Sequence, residues 1–543
     1  MRIAEEVDRM KSLPLGIQNF REIIGNNHVY VDKTQYVHRL ITDAKCFFLS
    51  RPRRFGKSLL LDTIAEAFSG DRELFKGLFI YNSGYAFDKH PVLRLDMSSI
   101  ANDTPETLKE SLLSKLNERV EEESLGISER LPSDLYQRLI KKLYEKYDKT
   151  VVILIDEYDK PILDHIDDPE TAEGNRSVLR GFYGVLKSMD PYLRLAFITG
   201  VSKFTKTSVF SGMNNLKDIT MLERYAGICG VPIEELVTYF NEHIEKLAQR
   251  GKLGNRAEIC DKILEWYDGY SWDGEGRVIN PYSLLNFLSD GKFSPYWFAT
   301  GTPKFLTDIV KKRPEGYADL NDPEVSEASL DCFDIYRMPA APILFQTGYL
   351  TVKEVIAEPP PEVYRLTIPN FEVKIAFNLS LIADFMEKDY NIAESAYRKM
   401  NAALGNGDLN SFTSVMRSLF SAIPYQLHIS HEAYYHSLFY TIMNLLGFKI
   451  EAEVSTSYGR IDGVLELGGR VYIFEFKFKA CLPDATPEDM SKIVGIALDE
   501  GMKQIADRGY ADRYAGSGKE IIRAAFAFLG RDTIEMRFET LVS

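Results

Sequence analysis

The sequence is poor in cysteine, and the few it has do not organise a fold. Five in 543 residues (Cys46, Cys229, Cys260, Cys332 and Cys481) are scattered, with no CxxC pair and no histidine at zinc-finger spacing. That excludes a disulfide framework and a zinc module, and leaves reduced, mostly buried small hydrophobes. An excess of basic charge is also lacking. The formal net charge of −14 argues against a chain coated along its length by nucleic acid, although a local basic groove inside an acidic total stays open. No apolar run is long enough to span a bilayer, and Met1-Arg-Ile-Ala-Glu-Glu-Val-Asp8 lacks the apolar centre of a signal peptide. A cytoplasmic protein without a membrane partner is therefore expected. Internal repeats and low-complexity tracts are missing too. With 45% hydrophobic and 27% charged residues the composition is that of a globular chain, long enough for two to four domains.

What is present begins at Leu49-Ser-Arg-Pro-Arg-Arg-Phe-Gly-Lys-Ser-Leu-Leu60. The apolar run from Cys46 reads as a strand end, Arg51 to Phe55 as a tight turn, and Gly56-Lys57-Ser58 as the start of a helix carrying Leu59, Leu60, Ile64, Ala67 and Phe68 at helical spacing. Backbone N–H groups at such a start face an anion, a lysine there reaches terminal phosphates, and a serine hydroxyl ligates magnesium. The expected nucleotide cradle is Arg51, Pro52, Arg53, Arg54, Phe55, Gly56, Lys57, Ser58 and Leu59. Arg51 stands where the usual GxxxxGK[ST] pattern has glycine, which implies a different loop entry. The loop arginines could touch phosphate or pair with surface acids, and the sequence weighs these equally.

Pro91 to Asp96, Thr150 to Asp156 and Leu193 to Gly200 are further apolar runs ending in polar residues, separated by helical patterns. Uniformly apolar, β-branched runs of that length suit a parallel sheet buried on both faces, with its site at the carboxyl strand ends. Asp156 is expected to hold the magnesium shell and Glu157 to polarise the attacking water, with Thr199 and Ser202 placed to sense a γ-phosphate. Taken alone, Asp156-Glu157 could as well cap the next helix. The Gly-Lys-Ser start in the same pattern favours ATP and Mg²⁺.

Tyr30-Val-Asp-Lys-Thr34, Ser50 to Ser58, Leu154-Ile-Asp-Glu-Tyr-Asp159, Trp266-Tyr-Asp-Gly-Tyr270, Asn280-Pro-Tyr-Ser283 and Tyr296 to Thr302 together resemble a bacterial family of AAA-ATPase-like proteins. The resemblance covers roughly residues 10–310. It implies that arginine in place of the first glycine is a family variation, and that a PD-(D/E)XK nuclease-like domain follows at the C-terminus.

The residues support that second implication. Arg460 to Leu467 and Arg470 to Phe478 flank Gly468-Gly469, a two-residue hairpin turn. Leu467 then faces Arg470 and Asp462 faces Glu475, with Cβ atoms roughly 5 Å apart. Two carboxylates so close call for a cation, and Mg²⁺ bound to Asp462 and Glu475 would offset the repulsion. Lys477 shares their face and could orient a water or stabilise charge at phosphorus. Glu432 and Gln504 fall where that superfamily places accessory residues, and Glu453 is a weaker ligand candidate. A solvent-facing strand pair neutralised by Arg460 and Lys477 is the plainer reading of the hairpin alone.

The expected architecture is α/β. It comprises a P-loop ATPase domain with a parallel sheet (1–225), a helical lid (226–330), a helical, winged-helix-like linker (331–423) and a C-terminal restriction-endonuclease-like α/β domain (424–543). The expected activity is ATP hydrolysis coupled to a metal-dependent nuclease-like domain acting on nucleic acid, with DNA the expected form. A homo-oligomer is compatible with it. The alternative is a nucleotide-gated binding or signalling switch whose nuclease fold does not cleave. Trp266, Trp272 and Trp297 are expected to pack the lid, and His428, His431 and His436 to be surface or interface residues without a metal.

Overall fold

The computed structural model describes residues 10–203, 209–210, 213–298, 322–330, 340–357, 360–421, 441–446, 449–453, 460–479, 486–507, 511, 514, 517–529 and 533–541. Two compact units emerge, Met1–Gly301 with Asp322–Val373, and Thr302–Asn321 with Lys374–Ser543.

The first unit is built on a five-stranded parallel sheet of β1 (Cys46–Ser50), β2 (Val92–Asp96), β3 (Val151–Asp156), β4 (Leu193–Gly200) and β5 (Lys217–Asp218), in the order β2-β3-β4-β1-β5. Every residue of β1 and β3 is buried, as their apolar composition requires of strands covered on both faces. Helices close those faces. Pro105–Glu122 turns Leu108, Leu112, Leu116 and Val120 inward at a four-residue spacing, after Thr104 caps its start by accepting from the Thr107 amide. The inserted strand β4 separates β1 from β3, so the polar ends of all three strands open onto one crevice.

A helical layer follows, as its periodicity predicts: Ile233–Gln249, Arg256–Tyr267 and Pro281–Asp290. Asn255 and Glu258 form a capping box on the second, and Asn280 caps the third, where Pro281 suits the first helical position. Leu236, Phe240, Ile244, Ile259, Ile263, Tyr267, Leu284 and Phe287 make one core.

The expected separate linker over 331–423 does not form one body. Its first part folds in the first unit, where β7 (Thr351–Ile356) and β8 (Val363–Thr367), after a helix Ala340–Thr347, make a three-stranded sheet with the earlier strand β6 (Glu324–Ser326). The Thr351 hydroxyl donates to the Ser271 carbonyl at 2.8 Å and accepts the Ser271 amide at 2.7 Å, joining this sheet to the turn after the second lid helix. Leu344 to Thr347 finish helix Ala340–Thr347, which buries Pro342 to Gln346 in succession.

The remaining linker helices belong to the second unit. Helices Tyr390–Asn406 and Leu409–Ser421 cover one face of a mixed sheet of β9 (Lys449–Glu453), β10 (Arg460–Leu467), β11 (Arg470–Lys479), β12 (Glu520–Leu529) and β13 (Thr533–Leu541), in the order β13-β12-β11-β10-β9. Phe412 meets Phe474 at 5.8 Å and Phe526 at 6.0 Å, and the Tyr472 hydroxyl donates to the Leu404 carbonyl. Only β11 and β12 pair in parallel. Helix Pro487–Asp507 makes that crossover and packs Val494, Ala497, Leu498 and Ile505 on the other face. Glu432, His428, His431 and His436 lie outside the described residues.

Candidate active site

The loop after β1 owes its shape to two residues with positive φ, Arg54 (+67°) and Gly56 (+89°), the second capping helix Lys57–Ala67 in the left-handed region. A side chain at Gly56 would strain that turn, which is why glycine is required there. The Lys57 ammonium is buried and donates to the carbonyls of Arg51 and Pro52, both at 2.9 Å. Burial pushes its pKa down, and Asp156 and Glu157 are the leading charges that oppose this. Ser58, one residue on, is half-buried in the first turn of the helix.

Those acids end β3. Asp156 is buried, and its Oδ1 accepts the Thr199 hydroxyl at 2.8 Å and the Glu157 amide at 3.1 Å. Oδ2 has no hydrogen-bond partner among the described residues, which fits a carboxylate that holds a cation's water shell. Thr199, expected to sense phosphate, thus orients Asp156, because adjacent strands bring the two side chains together. Ser202 is likewise turned to an acid. Asp159 accepts the Val201 amide at 3.1 Å, the Ser202 amide at 2.5 Å and the Ser202 hydroxyl, and burial raises its pKa against those bonds. Glu157 adopts φ +50° and is half-buried. Burial raises its pKa, Lys57 pulls it down most, and Arg53 does so more weakly. A carboxylate poised this way suits a proton acceptor.

The three loop arginines differ in place. Arg51 meets no surface acid. Its guanidinium is fully buried, donates to the carbonyls of Ser50 (2.8 Å) and Thr220 (2.9 Å), and lies 3.8 Å over the Trp272 ring. Burial pushes its pKa down to about 10. The residue that breaks the usual glycine pattern is therefore a strut between the loop and the Trp272 turn. Arg54 donates to the carbonyls of Tyr296 (3.1 Å) and Trp297 (3.3 Å) and stacks 4.0 Å over Tyr282. Arg53 is exposed, while its carbonyl accepts the Trp297 indole N–H at 3.1 Å. Trp272 packs against Arg51 and Phe55, and Trp297 against Tyr349.

Beside the loop lies an apolar cavity of about 100 Å³, lined in part by Tyr30, Val31, Phe55, Gly56, Leu59 and Cys229. Phe55, Gly56 and Leu59 thus face a cavity. Lys33 closes one wall, donating to the Gly227 carbonyl at 2.9 Å and to Glu235 at 2.5 Å. Below, the buried Glu372 accepts the Trp297 amide at 2.7 Å and the Ser283 hydroxyl at 2.8 and 2.9 Å. Glu372, Lys33 and the Ile228 to Val231 wall were not singled out from the sequence. The sequence signal for them was the motifs at 30–34 and 280–283, whose partners are remote in the chain.

In the second unit the hairpin register is the expected one, with Leu467 opposite Arg470 and Asp462 opposite Glu475, while Glu451 of β9 pairs with Asp462 on its other side. The side chains of Asp462 and Glu453 lie outside the described residues. Glu475 is buried, and Lys477 donates to it at 2.6 Å and to the Gln504 side-chain oxygen. Because lysine only donates, Gln504 must present oxygen to it. Its amide nitrogen is left buried without a partner, an orphan donor that suits a bound oxygen ligand. Gly501 admits this closeness. A Cβ there would lie 2.8 Å from the Ala525 Cβ and 3.6 Å from the Glu475 Cγ.

A family model described as "Predicted AAA-ATPase" matches residues 14–210, and one described as "PD-(D/E)XK nuclease superfamily" matches residues 430–537. An "Uncharacterized protein in vnfD 5'region" of Azotobacter chroococcum mcd 1 is 36% identical over 519 residues, 94% of this chain and 95% of that protein. The chain belongs to the AAA-ATPase-like family with a C-terminal PD-(D/E)XK nuclease superfamily domain. In this AAA-ATPase-like protein Lys57, Asp156, Glu157 and Thr199 are gathered at one set of strand ends. Glu475 and Lys477 are gathered with Gln504 on the nuclease-type sheet. Among the described residues no helix is long and apolar enough to cross a membrane.

Proposed function

We propose that the first unit binds and hydrolyses ATP and that the second is a metal-dependent nuclease-like unit acting on nucleic acid, DNA in the first instance, under nucleotide control in the cytoplasm. The observation that carries the reading is the buried Lys57 ammonium, held by the carbonyls of Arg51 and Pro52 at the start of its helix, with Asp156 and Glu157 the leading negative charges acting on it. In this reading the cavity takes the base, and backbone N–H groups of residues 55–58 with Lys57 take the phosphates. Glu157 accepts the proton of the water that attacks the γ-phosphorus, and Thr199 keeps Asp156 aimed. Ser58 and Asp156 would hold Mg²⁺, which when bound neutralises charge on the β- and γ-phosphates. Asp462 and Glu475 would hold the divalent metal of the second site, where Lys477 orients the water for phosphodiester hydrolysis.

The test is ATP turnover with Mg²⁺ by wild type, Lys57→Ala and Glu157→Gln, alongside cleavage of single-stranded DNA, double-stranded DNA and RNA by wild type, Asp462→Ala and Lys477→Ala. Turnover lost in the first pair and cleavage lost in the second are expected. Undiminished cleavage by Asp462→Ala would sink the nuclease assignment. A second reading, a nucleotide-gated switch that grips without cutting, is favoured by the Lys477–Glu475 ion pair, which satisfies the carboxylate with no metal. It predicts ATP-dependent association and no cleavage with any divalent metal.

A further inference from the structure

We infer that Glu372 is a positioning residue of the phosphate loop, setting the turn before Gly56 and Lys57 by joining the two segments that brace it. The inference rests on the ATPase reading and adds to it a residue far outside the 14–210 match.

Strain in the loop shows where bracing is needed. Arg54 holds φ +67°, a conformation that strains a non-glycine residue and persists only where the surroundings enforce it. The groups that hold it lie on two segments. Arg54 donates to the carbonyls of Tyr296 (3.1 Å) and Trp297 (3.3 Å) and stacks 4.0 Å over Tyr282, while the Arg53 carbonyl accepts the Trp297 indole N–H at 3.1 Å. The same turn presents the Arg51 and Pro52 carbonyls to the Lys57 ammonium, so a shift at Arg53 moves the seat of the lysine.

Glu372 ties those two segments together. Its Oε1 accepts the Trp297 amide at 2.7 Å, and its two oxygens accept the hydroxyl of Ser283, the neighbour of Tyr282, at 2.9 and 2.8 Å. It is fully buried, and Asn370 fixes it in the first turn of helix Phe371–Phe385 by accepting the Val373 amide at 3.0 Å. Gly269 leaves no room for a Cβ against the Pro369 carbonyl, so the chain entering that helix is seated on the turn after the second lid helix. Ser283 lies in the first turn of the helix whose Pro281, Leu284 and Leu285 line the apolar cavity. One carboxyl group thus braces the phosphate loop and a cavity wall together. Removing it leaves the Trp297 amide and the Ser283 hydroxyl buried without an acceptor, and the strained Arg54 turn loses the anchor that opposes its relaxation.

The experiment uses the full chain with ATP and Mg²⁺, at a temperature where every variant is folded. It compares wild type, Glu372→Gln, Glu372→Ala, Trp297→Phe, the Glu372→Ala/Trp297→Phe pair, Lys57→Ala and Leu112→Ala. Leu112, on the buried face of helix Pro105–Glu122 and outside the loop and its braces, controls for lost stability alone. The readouts are kcat, KM, affinity for a fluorescent ATP analogue and melting temperature. Glu372→Gln keeps an oxygen for both donors and is expected to turn over ATP like wild type. In Glu372→Ala kcat/KM is expected to fall roughly 100-fold, the scale of a catalytic group misplaced by a fraction of its own size. Trp297→Phe keeps the amide and loses the indole donor, and a loss of about 10-fold is expected. The pair should lose no more than Glu372→Ala alone, because both act through the Arg53 carbonyl.

Wild-type kinetics in Glu372→Ala overturn the inference. An equal loss in Leu112→Ala at an equal fall in melting temperature overturns it too, as do additive losses in the pair. Should Glu372→Ala not fold, Glu372→Asp, which withdraws the carboxyl by one methylene, takes its place under the same criteria. If wild type neither binds the analogue nor turns over ATP, the ATPase reading fails and the inference with it. Turnover that Lys57→Ala abolishes and Glu372→Ala leaves intact defeats the Glu372 role alone.

Discussion

The Thr199 hydroxyl donates to the Asp156 carboxylate at 2.8 Å across two neighbouring parallel strands. The bond fixes which oxygen of Asp156 stays available. Thr199→Val keeps the shape and removes the donor, leaving a buried acceptor short of a partner. ATP turnover is expected to fall about 10- to 100-fold, the usual loss when the partner of a metal-holding carboxylate is removed, and Thr199→Ser should retain most of it. Steady-state kinetics against magnesium concentration checks this. Unchanged kinetics in Thr199→Val would remove the positioning role.

Arg51 is a structural residue in the described geometry. Arg51→Ala leaves the Ser50 and Thr220 carbonyls and the Trp272 face without their cation, and the first unit is expected to lose roughly 2–4 kcal/mol of stability in urea unfolding. Arg51→Gly restores the common loop pattern, yet it should destabilise as much and bind nucleotide no better. Tighter binding by Arg51→Gly would contradict the strut.

Glu372 makes stability depend on pH in the direction opposite to most carboxylates. Burial pushes its carboxyl up to about 8, against an ordinary value of 4.5, with the Trp297 amide and the Ser283 hydroxyl opposing. The folded state therefore keeps a proton that the unfolded chain has lost. Its contribution is fully present below pH 4.5, declines as pH rises toward about 8, and is gone above that. Glu372→Gln keeps an acceptor for Trp297 and Ser283. Its melting temperature should match wild type near pH 5 and exceed it near pH 8.5, as followed by calorimetry.

Gly501 sets how closely helix Pro487–Asp507 approaches β12. Gly501→Ala brings two Cβ atoms to 2.8 Å, with no flexible side-chain end to yield, and about 1–3 kcal/mol of destabilisation is expected. Ala525→Gly in the same chain should restore most of it, because the clash is pairwise. Additive losses in a double-mutant cycle would show that something other than this contact is at fault.

Much of this was legible in the sequence because it is local. The buried runs of β1, β3 and β4, the Gly56-Lys57-Ser58 helix start and the acids after Ile155 each declare themselves within about ten residues. The Gly468-Gly469 turn dictates that Asp462 faces Glu475, since strand pairing counts outward from a two-residue turn. Some elements were less clear. β13 lies at the sheet edge with mostly exposed or half-exposed residues, so it carries no apolar run, and the first turn of helix Pro487–Asp507 is polar enough to pass for loop.

Amino-acid order by itself determined the α/β class, the phosphate loop with its acid-tipped partner strand, and the opposed carboxylates of the hairpin, since each depends on neighbours in the chain or on one turn. Only the tertiary structure decided what the loop arginines touch, that Thr199 serves Asp156, and that residues 340–373 belong with the first unit while the following helices cover the second sheet. It also decided that Glu372, 89 residues from Ser283 in the chain, is a buried hub. A side chain's partner across such a separation is set by how whole elements pack, and no local pattern encodes it.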